Sequence, residues 1–121
     1  MNVKEFAARA GISAHTIRYY DKLGLFGCLA RSDSGHRRFV SQDLAWLAFI
    51  LRLKETGMAL EQILEYARLR SQGDVTLADR MAMLQQHAAA LELRLATEQQ
   101  HLLRLQEKIA HYQQLLQTNS A

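Results

Sequence analysis

Apolar residues recur at intervals of three and four along most of this chain, the spacing of helices with one buried side. Val3, Phe6, Ala7 and Ala10 form the first stripe. It is entered through Asn2-Val3-Lys4-Glu5, an N-cap side chain followed three residues later by a glutamate able to return the hydrogen bond. Gly11 stops it. Ser13 then caps a second short helix and Gly24 closes it, with Ile17, Tyr20 and Leu23 on its apolar side. Its other side carries His15, Thr16, Arg18 and Tyr19, side chains that reach phosphates or base edges. Two short helices around a Gly-containing turn make a helix-turn-helix pattern, in which the second helix enters the major groove.

Helical period is lost over residues 26–40. Ser32-Asp33-Ser34-Gly35 is turn chemistry, and residues 29–31 and 37–40 read as the two strands of a hairpin. Arg31, His36, Arg37 and Arg38 then cluster at its turn. A solvated loop is the plain alternative. Three arginines in eight residues with one acidic neighbour favour a wing that grips phosphates. Ser41-Gln42-Asp43 caps a third helix, with Asp43 near its positive end. Leu44, Leu47, Ala48 and Leu51 mark one face, and Trp46, Phe49, Ile50 and Leu53 fill much of the rest. This helix should be the core of the head, with Trp46 as an anchor and Gly57 at its end. A fourth helix spans Met58 to Arg70, with Leu60, Ile63, Leu64 and Ala67 inward and Gly73 after it. Met58, Met81 and Met83 sit at apolar helical positions and read as packing.

Thr76 with Asp79 starts the last element. Its apolar positions run Leu77, Met81, Leu84, Ala88, Leu91, Leu95, Glu98, Leu102, Leu105, Ile109, Tyr112, Leu116. The steps alternate four and three without a slip, and eleven of the twelve are apolar, so this is a coiled-coil seam. A helix of about forty residues is about 60 Å long, more than so small a head can cover. A second copy of the chain is the economical partner. Leu93, Leu103 and Leu115 lie off the seam and are placed to meet the partner's head. One flank is cationic or imidazole (Arg80, His87, Arg94, His101, Lys108) and the other mostly glutamine, so the flanks alone do not fix parallel or antiparallel pairing. Glu98 is the one seam residue expected to cost stability, answered by Arg94 or His101 of the partner subunit. The division this implies is a DNA-binding head over 1–73, a dimerisation helix over 76–116 and a frayed tail over 117–121.

Charge sharpens that division. The 121 residues carry 15 Lys and Arg against 12 Asp and Glu, a net +3. Residues 1–57 hold nine against five, and residues 58–121 six against seven. A cationic head on a near-neutral tail suits a module that binds a polyanion. One cysteine excludes an internal disulfide framework and fits a reducing, cytoplasmic setting. There is no apolar leader and no run of 18 apolar residues, so neither export nor membrane insertion is expected. Proline is absent, as suits a mostly helical chain. No paired carboxylates, nucleophile–base set or phosphate loop supports an enzyme.

Thr16-Ile17-Arg18-Tyr19-Tyr20-Asp21-Lys22-Leu23-Gly24-Leu25, then Gly35-His36-Arg37-Arg38-Phe39 and Asp43-Leu44, resemble the MerR family of bacterial transcription regulators. Lys54-Glu55-Thr56-Gly57-Met58 followed by Leu60-Glu61-Gln62-Ile63 is similar to that family's next junction. The resemblance covers about residues 1–70 in order and spacing. It implies an all-α chain with a small β-hairpin wing: a winged helix-turn-helix head and an antiparallel coiled-coil dimer. It further implies a promoter whose −35 and −10 elements lie too far apart, which the dimer distorts so that RNA polymerase engages both, or represses without signal. By motif position the implied DNA-binding residues are His15, Thr16, Arg18, Tyr19, Arg37, Arg38 and Lys54. The family usually has Tyr where Phe39 stands, frequently Tyr at His36, and commonly Pro at Cys28.

Family members that sense metals do so through paired cysteines at the far end of the coil, where this chain has none. Iron–sulfur members need four cysteines, and drug-binding members carry a large C-terminal domain. The expectation is a short member with no cofactor and no metal site. Cys28 is the effector candidate, as a thiol activated by Arg31 or His36, against the plainer reading of a small buried hydrophobe. His87 and His101 lie two heptads apart, about 21 Å along the axis, too far to share one ion within a chain. With His111 they read as solvated coil residues. The rival function is a coiled-coil adaptor or oligomerisation protein that leaves DNA alone, which would make the cationic hairpin and the Arg18–Tyr19 face idle.

Overall fold

The computed structural model describes residues 1–27, 35 and 37–119. Among these the chain forms α1 (Val3–Ala10), α2 (Ala14–Lys22), α3 (Ser41–Glu55), α4 (Leu60–Ser71), a 3-10 turn (Gly73–Thr76) and α5 (Leu77–Asn119). The first two helices are bounded by the residues the sequence offers for it. Asn2 Oδ1 accepts from the Glu5 amide at 2.8 Å, and Ser13 Oγ accepts from the Thr16 amide at 3.1 Å. Each satisfies one amide that the first turn of a helix leaves without a partner. Gly11, at φ 75°, closes α1 by donating its amide to the Ala7 carbonyl. That left-handed conformation is cheap only without a Cβ.

One core ties the head together. Phe6 and Phe39, both essentially unexposed, stack with ring centroids 4.2 Å apart, and Phe26 meets each of them edge-on. Ile17 and Tyr20 of α2, Leu25, and Trp46, Leu47, Ile50 and Leu53 of α3 continue the cluster, which ends on Met58 and on Ile63, Tyr66 and Ala67 of α4. Side chains of this size gain about 1.5–3 kcal/mol each when fully buried. Met1 and Phe39 exchange backbone hydrogen bonds in both directions, which pins the segment that leads into α3 beside α1.

Some expectations lie outside the described residues and others are corrected here. The hairpin wing is not shown: residues 29–31 lie outside the described residues, and Arg37 forms only an isolated bridge, with no strand among the described residues. Cys28, Arg31 and His36 lie outside them too. Phe39 has no solvent-facing edge, because its ring is part of the aromatic core. Ser41 is not the cap of α3; Val40 holds that position in extended conformation, and Asp43 Oδ2 reaches back to accept its amide at 2.8 Å. Serine at the first helical position has already passed the point where its hydroxyl can cap. Ala48 of α3 is exposed. Helix α4 begins two residues later than its apolar pattern, with Met58 buried in the turn and Leu60 left 39 % exposed. Leu23, at the end of α2, is also exposed.

Helices α4 and α5 meet at a knuckle built on Thr76, which is buried. Its hydroxyl donates toward the carbonyls of Leu69 and Gly73, and it accepts from Arg80 Nε at 3.1 Å. Arg80 also donates to the Gly73 carbonyl through Nη2. Thr76 therefore closes the turn before α5 instead of capping the free amides of α5.

The described chain divides into a compact unit Met1–Leu84 and a second unit from Gln85 onward. The first takes in the opening turns of α5, where Met83 and Leu84 pack half-buried against the core. Met81, expected as packing, is 57 % exposed. The second unit is helix alone. No residue of α5 is buried, and Leu95, Leu102, Leu105, Ile109, Tyr112 and Leu116 of the heptad seam all face solvent in the single chain. Leu93, Leu103 and Leu115, off the seam, are exposed as well. No helix among the described residues is long and apolar enough to cross a membrane.

Candidate nucleic-acid interface

Helix α2 is anchored by what it buries, and this decides what it shows. Ile17 and Tyr20 face the core, so His15, Arg18 and Tyr19 are turned outward, with Tyr19 half exposed. Thr16 is half-buried and shares a 2.8 Å hydrogen bond with Ser13 Oγ, so its hydroxyl serves the cap as well as the exposed face.

Beside this face lies an open concavity of about 550 Å³ lined by Asn2, Val3, Lys4, Arg18, Asp21, Lys22, Gly35 and Arg37. Four cationic side chains and one acid line it. The N-terminus of α1 opens here, and its helix dipole adds to the positive field. Such a field, shaped by low-dielectric walls, draws in phosphate oxygens.

Arg37 Nε lies 2.9 Å from Asp21 Oδ2, and both side chains are largely covered. Asp21 Oδ1 is buried and has no hydrogen-bond partner among the described residues. The acid in this cationic hollow thus holds one of its arginines in place. In the same last turn of α2, Lys54 Nζ donates to the Tyr20 hydroxyl at 2.9 Å and sits 5.6 Å from the ring centroid. That hydrogen bond, aided by the nearby tyrosines, pushes the Lys54 ammonium above its ordinary pKa.

Of the residues the sequence singled out, Arg18 and Arg37 come together in the concavity, while His15, Thr16, Tyr19, Arg38 and Lys54 do not line it. Arg38 is exposed. Lys4 and Lys22 line the concavity as well and were not singled out. Lys22 carried a signal, since it stands one helical turn beyond Arg18 and so shares its face. Lys4 carried none, because only tertiary packing sets α1 beside α2. Among the described residues no group of three or more His, Cys, Asp or Glu side chains is placed to hold a metal ion.

The profile of the MerR HTH family regulatory proteins matches residues 1–69, and a second, described as MerR, DNA binding, matches residues 44–100. The chain belongs to the MerR family. An HTH-type transcriptional regulator of Haemophilus influenzae is 42 % identical over 79 residues, which are 65 % of this chain and 58 % of that protein. The HTH-type transcriptional regulator AdhR of Bacillus subtilis is 36 % identical over 84 residues, 69 % of this chain and 60 % of that one. The chain thus spans about three fifths of the length of these curated relatives. They are transcriptional regulators and not enzymes.

Two solved MerR structures resemble the whole chain. The crystal structure of HiNmlR, a MerR family regulator lacking the sensor domain and bound to promoter DNA, superposes with a TM-score of 0.82 at 35 % identity, covering 93 % of this chain and 90 % of that one. A MerR family protein from Listeria monocytogenes gives 0.85 at 36 % identity, with 93 % and 85 % covered.

Proposed function

We propose that this MerR-family chain is a dimeric, sequence-specific regulator that binds promoter DNA through the cationic hollow and the exposed face of α2. The convergence of Lys4, Arg18, Lys22 and Arg37 on one concavity carries the reading. Arg18 and Tyr19 enter the major groove, where His15 and Thr16 reach base edges or backbone. Arg37 and Arg38 grip phosphate from the segment that leads into α3. Lys54 and the Tyr20 hydroxyl, already joined, receive a further phosphate between them. The promoter-bound state of HiNmlR, which shares the fold and a third of the sequence, supports this assignment.

The exposed apolar line of α5 supports dimerisation. A single chain leaves Leu95, Leu105 and Leu116 each more than 60 % exposed along one line of the helix, and such a line needs a partner. An antiparallel coiled coil between two copies covers it and sets two heads on successive grooves. The dimer then bends and untwists a promoter whose −35 and −10 elements are too far apart. Such a bend costs on the order of 1–6 kcal/mol, which phosphate contacts must supply. RNA polymerase then meets both elements in register.

Fluorescence anisotropy of a labelled duplex from the chain's own upstream region, read between 50 and 200 mM salt, tests the reading. Each neutralised phosphate contributes a slope of about −0.9 in log affinity against log salt. Strong binding that weakens steeply with salt, and loses about one contact in Arg18→Ala, is expected. Absence of duplex binding at low salt would leave the adaptor reading in its place.

A further inference from the structure

Helix α3 has an apolar face that the core of the head does not fully take up. Leu44, Leu47, Ala48 and Leu51 share it, yet Leu44 and Leu51 are only half-buried and Ala48 is exposed. Short side chains are the cause. The end of α1 meets this face with Ala10, opposite Ala48, and the two helices leave a hollow of about 380 Å³ between them. That is the size of a small-molecule site, for which about 300–1,000 Å³ is usual.

Three charged side chains stand around this aliphatic floor: Arg9 from the last turn of α1, and Arg52 and Glu55 from the last turn of α3. None of them has a side-chain hydrogen bond or ion pair among the described residues. Arg52 and Glu55 have the same order and spacing as Arg104 and Glu107, which do meet at 3.3 Å. In the hollow the corresponding pair stays open. The site therefore offers two guanidinium groups and one carboxylate, all uncommitted, beside leucine side chains.

We propose that this hollow binds a free α-amino acid with an aliphatic side chain of about leucine size. The ligand carboxylate lies between Arg9 and Arg52, whose planar forks suit its two oxygens. The ligand ammonium faces Glu55, and the aliphatic part covers Leu44, Leu47, Ala48 and Leu51. Other chemistries match less of the lining. A simple carboxylate would satisfy the arginines but set a second negative charge beside Glu55. An alkylamine would satisfy Glu55 and face two cations. A phosphate would leave the aliphatic floor uncovered. A zwitterion with an apolar body sets each charge against its opposite and dries the leucines. The opposite end of α1, with Asn2, Val3 and Lys4, lines the cationic hollow assigned to DNA. The two sites are thus separate, and this one stands or falls without the DNA reading.

Amide NMR of the nitrogen-labelled full chain, titrated with L-leucine in the absence of DNA, tests the proposal. Amides of Arg9, Ala10, Ala48 and Arg52 should shift saturably, with a dissociation constant of about 1 mM or tighter. Glycine lacks the apolar body, isocaproate the ammonium and isoamylamine the carboxylate, so each should bind about tenfold more weakly or worse. Arg52→Gln should weaken leucine by about the same factor, and Glu55→Gln should remove the preference for leucine over isocaproate. Ala48→Leu fills the hollow and should abolish the shifts, with a dispersed amide spectrum showing that the variant is folded. Should that variant fail to fold, the two exposed-residue variants still decide. Absence of saturation up to about 20 mM leucine would overturn the site. So would shifts confined to Lys4, Arg18 and Lys22, which would place the ligand in the other hollow. Isocaproate binding the parent chain as tightly as leucine would overturn the amino-acid assignment.

Discussion

Arg37 Nε meets Asp21 Oδ2 at 2.9 Å, joining the segment that leads into α3 to the last turn of α2. Charge counting says that removing Asp21 should favour DNA, since it deletes the only acid among the residues lining the cationic hollow. Preorganisation says the opposite, because an arginine that must be ordered on binding loses part of what its contact gains. We expect preorganisation to win. Asp21→Ala should bind its duplex about threefold to tenfold more weakly, equivalent to roughly 1 kcal/mol. Anisotropy at fixed salt measures this, and tighter binding by the variant would show that Asp21 is not what aims Arg37.

The contact of Lys54 with Tyr20 has a pH signature whose sign is fixed. The Tyr20 hydroxyl raises the lysine above its ordinary 10.5 in the folded chain. A group raised on folding contributes fully below its unfolded value and loses that contribution as pH climbs through the folded one. Urea unfolding of the parent chain and of Lys54→Met should therefore differ by a constant amount from about pH 7 to about pH 10, and converge above that. A difference already shrinking between about pH 7 and pH 9, well below the lysine range, would assign the contribution to some other group.

What could be read from the sequence was what local chemistry decides. The caps Asn2 and Ser13 sit where they were expected, because each needs only its own next three residues. That one long helix follows Thr76 was legible because its apolar repeat is a counting pattern. The ion pair of Asp21 with Arg37 and the backbone pairing of Met1 with Phe39 were not, since each joins residues that only the tertiary fold brings together. The start of α4 was misread because Met58 and Leu60 are both apolar, and hydrophobicity alone does not tell a buried turn from a first helical residue. Tyr66 went unnoticed as core although it lies three residues beyond Ile63; its ring is buried against Trp46, 6.0 Å between centroids.

Trp46 was expected as an anchor, and its polar atom explains why the anchor is a tryptophan. Nε1 donates to the buried Leu25 carbonyl at 2.9 Å, closing the turn after α2 onto α3. Arg70 covers the ring, with its guanidinium carbon 4.0 Å from the ring centroid. Trp46→Phe keeps an aromatic ring but leaves that carbonyl without its donor, at about 1–3 kcal/mol. Chemical denaturation should show this loss with the mass in solution unchanged from the parent's. A variant as stable as the parent would mean that water or a shifted backbone replaces the indole.

Thr76 makes the matching case at the knuckle before α5. Its hydroxyl serves the carbonyls of Leu69 and Gly73 and receives Arg80, so one buried oxygen joins α4, the turn and α5. Thr76→Val preserves shape and removes all three interactions, leaving polar groups partly covered without partners, at about 1–3 kcal/mol. Thr76→Ser keeps the hydroxyl and should cost less, the loss of one methyl group being worth about 1 kcal/mol. The discriminating measurement is urea unfolding of the valine and serine variants beside the parent. Valine must fall clearly below serine if the hydrogen bonds hold the knuckle, and equal losses would mean that packing of the methyl group holds it instead.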